Sequence, residues 1–165
     1  MIKSQYLYIM LWLMLALLFS CNAQSGDNLR LSKIIFHSSR CNGICPQIDL
    51  EIDSAKNIYV NREYFKTKSL TDERFSGQFK GVLSQTEYNK LLEILKSSNI
   101  NELKFPNSDI MDVAETTIIV YYNGQRKYLK SSEPPDEAKG LIQFLTLLSD
   151  NKTLERTAEI RSLEN

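Results

Sequence analysis

Apolar and polar residues alternate along much of the chain, and the period of the alternation separates strands from helices. In residues 47–53, QIDLEID, three aliphatic side chains fall on one side of an extended strand and three carboxylates on the other. Residues 58–65 resume the strand pattern, so the two segments predict a hairpin with Asn57 in a left-handed turn position. Residues 31–37 predict a first strand, and residues 77–83 predict a further short one.

Two stretches carry apolar residues with the helical period. Ser84 and Glu87 form a capping box that opens the first helix. The apolar stripe of this helix follows at i, i+3, i+4 and i+7, as Tyr88, Leu91, Leu92 and Leu95. A second amphipathic helix is predicted after Pro134 and Pro135, with a stripe of Ala138, Leu141, Ile142, Leu145 and Leu148.

Asn123-Gly124 is the strongest hairpin signal in the chain, because both residues favour the positive φ angles of a tight two-residue turn. It joins residues 116–122 to residues 125–130, two strand-like segments. Strands in runs with helices after them predict an α+β fold. We expect an antiparallel sheet built from hairpins, with two amphipathic helices packed on one face.

The N-terminus has the pattern of an export signal. Lys3 precedes an uncharged apolar run of 14 residues, 6–19, which is too short to span a membrane as a helix. The following residues 18–21, LFSC, resemble a bacterial lipobox, in which the cysteine is lipidated and becomes the mature N-terminus. The resemblance implies a signal peptide at 1–20 and lipidation of Cys21, whereas the alternative is an ordinary secretory signal with a nearby free thiol.

Residues 21–30 are mostly small and polar, which is typical of a tether between a lipid and a domain. Asn22 after the lipidated cysteine implies, by resemblance to lipoprotein sorting in Gram-negative bacteria, the outer membrane and its periplasmic face. The membrane, reached through the N-terminal lipid, is therefore one expected partner.

Removal of residues 1–20, which contain one lysine and no acidic residue, leaves 145 residues with 19 basic and 20 acidic side chains. Such a chain suits a single domain, expected at 31–150, with a charged tail at 151–165 that frays or extends the last helix. The balanced charge gives no electrostatic footprint for nucleic acid, so we expect no nucleic-acid partner.

Cys41 and Cys45 allow three interpretations: a disulfide, a metal site or a redox centre. An oxidising compartment favours a structural disulfide, with Gly43 at positive φ folding the loop back. Structural zinc needs four ligands, and the mature chain offers only these two cysteines and His37. Copper(I) or thiol redox chemistry through Cys41, Cys45 and His37 stays the alternative, since the loop resembles that of copper chaperones of the Sco class. In the Sco class this loop opens a helix, whereas residues 47–53 of this chain predict a strand.

No reaction is spelled out elsewhere in the sequence, so we expect no enzyme and no cofactor. His37 is the only histidine and no G-x-S-x-G elbow accompanies it. Asp109, Asp112 and Glu115 lack the spacing of a calcium loop. Asp53-Ser54-Ala55 resembles a bacterial O-glycosylation motif, which makes Ser54 a candidate for modification.

The loop CNGICP at 41–46, the helix start at Leu83-Ser84, and Asp112, Thr116 and Thr117 resemble a bacterial lipoprotein family called domain of unknown function 6438. The resemblance covers about residues 31–150; it implies the fold and export, and no reaction. Two function classes follow. The first is a lipid-anchored, non-catalytic module that binds an unknown envelope protein or ligand, or supports an envelope complex. The second is a periplasmic thiol redox or copper(I)-binding protein that uses the CNGIC loop.

Overall fold

The computed structural model describes residues 29–108 and 110–164. Within them the chain forms nine strands and two helices. In chain order these are β1 Leu31–Ser38, β2 Gln47–Asp53, β3 Asn57–Glu63, β4 Phe65–Thr67, β5 Leu70–Thr71, β6 Gly77–Val82, α1 Gln85–Ser97, β7 Thr116–Tyr122, β8 Gln125–Ser131, α2 Asp136–Ser149 and β9 Glu155–Arg156.

Seven strands form one antiparallel sheet in the order β8-β7-β1-β2-β3-β6-β9, and β4 pairs with β5 apart from it. The predicted hairpins are confirmed as β2–β3 and β7–β8. Because neighbouring strands run in opposite directions, the tight turns after β2 and β7 share one end of the sheet with the chain entry at Leu31. We call this the tether end. The opposite end, the loop end, carries the longer connections 39–46, 64–76 and 106–115.

One hydrophobic cluster joins alternate residues of the sheet to the stripes of both helices. Ile34 and Leu50 contribute from the sheet, Leu91 from α1, and Leu141 and Leu145 from α2, all without exposed surface. Burial of each such side chain stabilises the fold by about 1.5–3 kcal/mol. The residues that follow the period-two pattern of the strands and the period-3.6 pattern of the helices are therefore buried in the same cluster.

The turn between β2 and β3 differs from the expectation for Asn57. Lys56 adopts the positive φ of 68°, and Asn57 is the first residue of β3. The Asp53 carboxylate explains the shift, because it accepts hydrogen bonds from the Asn57 backbone N–H (2.9 Å) and side-chain amide (2.8 Å). These bonds hold Asn57 in extended conformation, so the left-handed position falls one residue earlier.

Within the described residues, the segment after Ser149 does not extend the last helix. The α2 helix ends at Ser149, and β9 pairs with β6 at Phe79↔Arg156. The Thr157 backbone N–H then donates to the Gln78 carbonyl at 3.0 Å. Beyond this point the chain crosses the sheet, and we call residues 157–164 the strap.

Candidate functional site

The two cysteines of the loop between β1 and β2 are joined. The Cys41–Cys45 disulfide has a Cα–Cα distance of 5.6 Å, which lies in the middle of the range that such bridges require. Both residues are half-buried, and Pro46 leads directly into β2. The predicted disulfide is therefore present in the structure.

Gly43 has a different role from the one expected. The described glycines with positive φ are Gly77 and Gly124, and Gly43 is not among them. A Cβ atom at Gly43 would lie 3.2 Å from Cys41 Sγ, closer than most real contacts of a Cβ atom. Glycine suits this position because it has no side chain, so nothing obstructs the disulfide that passes close to it.

Hydrogen bonds tie the disulfide loop to its neighbours on both sides. The Asn42 N–H donates to the Asp112 carbonyl at 3.1 Å, and Lys68 Nζ donates to Asn42 Oδ1 at 2.8 Å. The Arg40 guanidinium donates to the Lys68 carbonyl at 2.7 Å and stacks on the Phe65 ring at 4.0 Å. Three separate loops therefore form one connected surface at the loop end.

Exposed apolar side chains concentrate on this surface. Six of the ten large hydrophobic side chains that are exposed among the described residues lie on the loops of the loop end: Ile44, Leu70, Phe75, Ile110, Met111 and Val113. Met111 is 89% exposed and Ile44 is 62% exposed. Apolar groups gathered on one surface mark contact sites more often than scattered ones do.

Asp112 and Glu115, two acidic residues near this surface, make contacts within the chain. Asp112 adopts a φ of 70° and accepts the Asn42 N–H through its carbonyl, as described above. The Glu115 carboxylate pairs with Lys130 Nζ at 2.9 Å, and its backbone N–H donates to Ser39 Oγ. Asp109 lies outside the described residues.

His37 lies on the face of the sheet that does not carry the hydrophobic cluster. We call it the polar face; its side chains include His37 of β1, Asp49 and Glu51 of β2, and Tyr121 of β7. Each ring nitrogen of His37 lies near an oxygen, Nδ1 at 2.8 Å from Asp49 Oδ1 and Nε2 at 2.7 Å from the Glu164 carbonyl. Burial lowers the pKa of His37, but the Asp49 carboxylate and the Glu164 carbonyl more than offset this effect and raise it above its ordinary value.

The alternative metal or redox site gains no support from this geometry. The two sulfurs are bonded to each other, and both nitrogens of His37 have other partners. Within 29–108 and 110–164, no three His, Cys, Asp or Glu side chains are grouped as metal ligands.

The strap lies on the polar face and is held there by its charged side chains. Arg161 pairs with Glu51 at 2.9 Å and stacks 3.4 Å above the Tyr59 ring. Glu164 accepts a hydrogen bond from Tyr121 Oη at 2.6 Å and pairs with Arg126 at 2.8 Å. These bonds hold the pKa of Glu164 below its ordinary value.

This arrangement is not visible in the sequence. Alternation along β2 and β7 does place Glu51 and Tyr121 on the face opposite the core. No local pattern, however, connects them to Arg161 and Glu164, which lie 110 and 43 residues away along the chain. The mixed charges of the tail were the only available signal.

The remaining candidates lie apart from these features. Ser54 is exposed in the turn between β2 and β3, at the tether end. Cys21, the expected signal peptide at 1–20 and most of the expected tether lie outside the described residues. Among the residues that are described, no helix is long and apolar enough to cross a membrane.

The fold is thus an α+β domain, with a seven-stranded antiparallel sheet, two helices and one short disulfide. The family model described as a domain of unknown function (DUF6438) matches residues 32–150, and the chain belongs to this family. The comparison with curated proteins finds no match. The match begins at the second residue of β1 and ends just after α2, so the strap lies outside it.

Proposed function

We propose that the protein is a lipid-anchored, non-catalytic binding module of the bacterial cell envelope, and that it binds a partner protein through its loop end. The concentration of exposed apolar side chains on that end carries the proposal. Burial of two or three such side chains against a partner would supply several kcal/mol of binding free energy. The disulfide and its hydrogen bonds order the loops beforehand, which reduces the entropy lost on binding.

The position of the tether supports a protein partner over the anchoring membrane. The described chain enters at the tether end, and β1 carries it over eight residues to the loop end, roughly 26 Å away. A domain held by a lipid at Cys21 therefore presents its loop end away from the attachment point. We also propose that both helices cover one face of the sheet, so that the polar face is left to the strap.

The anchor is tested by Cys21→Ser. Without the thiol no lipid can be attached, so the variant should leave the membrane fraction and keep its N-terminal signal, because processing at a lipobox follows lipidation. Fractionation of the expressing cells and intact mass of the product measure both effects. A processed, membrane-bound C21S chain would contradict the anchor.

The partner is tested by a photo-crosslinking amino acid at position 111, with position 55 as the matched control. Met111 and Ala55 are both exposed, but Ala55 lies in a turn at the tether end. We expect a discrete crosslinked protein from position 111 in native envelopes and none from position 55. Equal crosslinking from both positions, or from neither, would contradict a contact at the loop end.

The captured protein is then purified and its binding measured with Ile44→Asp and Val113→Asp. A charge placed in a desolvated apolar contact should weaken binding at least tenfold, which is about 1.4 kcal/mol, with the unfolding temperature unchanged. Binding of the purified protein to phospholipid vesicles through the same residues would replace a protein partner by the membrane.

Ser54 is proposed as a site of O-glycosylation, because the motif lies in an exposed turn that a modifying enzyme can reach. The native protein should then be heavier than the polypeptide by the mass of a glycan, and Ser54→Ala should remove the difference. Equal masses for the native protein and the polypeptide would exclude the modification.

A further inference from the structure

We propose that the strap is a pH-gated cover of the polar face, docked while His37 carries two ring protons and released when one of them is lost. This goes beyond the binding role of the loop end, since it concerns a different surface and does not depend on the partner.

The hydrogen bonds of His37 require both ring protons. A backbone carbonyl oxygen can only accept, so the bond to Glu164 needs a proton on Nε2. The carboxylate of Asp49 also accepts, and its second oxygen already takes the Asn61 amide at 3.3 Å. A neutral imidazole has one proton and one lone pair, so it can make only one of the two bonds. While the strap is docked, His37 is therefore an imidazolium.

Loss of one proton weakens the docked state in either tautomer. If Nε2 loses its proton, a lone pair faces the Glu164 carbonyl at 2.7 Å, and the strap loses this bond to β1. If Nδ1 loses it, the lone pair faces the Asp49 carboxylate at 2.8 Å. Both arrangements place two acceptors in contact. At an exposed site water could separate them, but at this partly buried site the repulsion remains.

The sign of the pH dependence follows from linkage. The pKa of His37 is raised in the docked state, so docking is strongest below the ordinary histidine value and weakens as the pH rises through the raised value. Each unit of difference between the docked and undocked pKa changes the docking constant about tenfold.

Other charged or titratable groups lie on the polar face, on the neighbouring strands and on the strap. Lys33 lies on the same strand, within 4.0 Å of Glu164 and 3.9 Å of Glu51. The remaining groups are Asp49 from β2, Tyr121 from β7, Arg126 and the paired Lys130 from β8, and Glu159 and Arg161 from the strap. The Glu164 carboxyl has a lowered pKa, so it stays charged while His37 titrates.

The strap is suited to release because it is weakly held. None of its residues is fully buried, and beyond Thr157 its contacts with the sheet are mostly ion pairs and side-chain hydrogen bonds. It also lies outside the matched range 32–150, so the family domain is defined without it. On the polar face, Ile35 and Ile119 pair with each other between the residues that the strap contacts, and they have no exposed surface. Release would uncover this apolar strip.

A single histidine makes the test direct. In the full chain in detergent, the only imidazole ¹⁵N signals come from His37 and report its protonation state and tautomer. Order parameters of strap amides in the same sample report docking. Between about pH 5 and about pH 9, we expect loss of strap order to coincide with the titration of His37. A strap that stays ordered while His37 titrates, or a neutral His37 at about pH 5, would overturn the proposal.

Two variants separate the effect of His37 protonation from a general weakening of the strap. His37→Gln removes the titrating group, so the ratio of docking constants at low and high pH should fall to about 1. Lys80→Gln removes the exposed pair of Lys80 with Glu159 at 3.7 Å, which should lower docking at every pH and leave the ratio unchanged. If His37→Gln keeps the wild-type ratio, another group controls the strap.

Discussion

The first turn of α1 is fixed by a few polar atoms. Ser84 Oγ accepts the Glu87 N–H at 3.2 Å, and the Ser84 N–H donates to Glu87 Oε2 at 2.8 Å. Glu87 Oε1 also accepts the Asn151 amide at 2.6 Å, which links the start of α1 to the residues after α2. The capping box therefore begins α1, and Glu87 also ties this turn to the residues that follow α2.

Replacement of Ser84 by alanine should lower the free energy of unfolding by about 1 kcal/mol, because an N-terminal amide of α1 loses its acceptor. Chemical denaturation measures the change. Ser97→Ala is the matched control, since Ser97 is exposed in the last turn of the same helix and bonds only to the Ile94 carbonyl. An S97A loss as large as the S84A loss would show that the cap has no special role.

The stabilisation that Glu87 contributes through this cap should depend on pH. The hydrogen bond from Ser84 Oγ lowers the pKa of Glu87, so its contribution is present above the ordinary carboxyl value and is lost as the pH falls through the lowered value. The difference in stability between wild type and Glu87→Gln should therefore shrink in acid. A constant difference down to about pH 2 would contradict this coupling.

Local chemistry explains which residues could be predicted from sequence. Ser84 and Glu87 act within four residues, and Asn123-Gly124 forms its turn within two, so each signal is complete in the sequence. The positive φ of Lys56 and the role of Gly43 depend on a carboxylate and a sulfur whose positions only the folded chain defines.

The hairpins and helices were predictable because each contains enough residues to show its period. By contrast, β5 and β9 have two residues each, which is too short for any alternation to be recognised. β5 pairs locally with β4, whereas β9 is positioned by its long-range pairing with β6. The disulfide loop is intermediate. Its bridge was expected from the export that the N-terminal pattern predicts, whereas its bonds to Asp112 and Lys68 were not visible in the sequence.

Removal of the bridge in the double variant Cys41→Ala with Cys45→Ala should cost about 2 kcal/mol, since the closed loop has only five residues. The domain should still fold, and amide exchange should increase in residues 41–45 and at their contacts with Asp112 and Lys68. Wild type treated with a reductant is the matched comparison. Complete unfolding of the double variant would show that the bridge holds the domain together and does more than order one loop.

The side chains on the two faces of the sheet differ in their contacts. The hydrophobic cluster joins one face to the helices through side chains with no exposed surface, such as Leu91 and Leu141. On the polar face, Ile35 and Ile119 are just as buried, whereas the strap on the same face contributes no buried side chain. Nearly all of the hydrophobic cluster thus lies within the matched range, whereas the strap follows that range in the sequence.

This asymmetry predicts the relative cost of damage to each cover. Truncation after Arg156 removes the strap and should leave a cooperatively unfolding domain with unchanged helix content, because the matched range ends at residue 150. Leu141→Ala opens a cavity in the cluster and should cost about 2–5 kcal/mol. Denaturation and circular dichroism compare the two variants, and the truncated chain should also bind more of an apolar dye, through Ile35 and Ile119. A truncated chain less stable than the L141A variant would mean that the strap is part of the core, and it would remove the basis for a releasable cover.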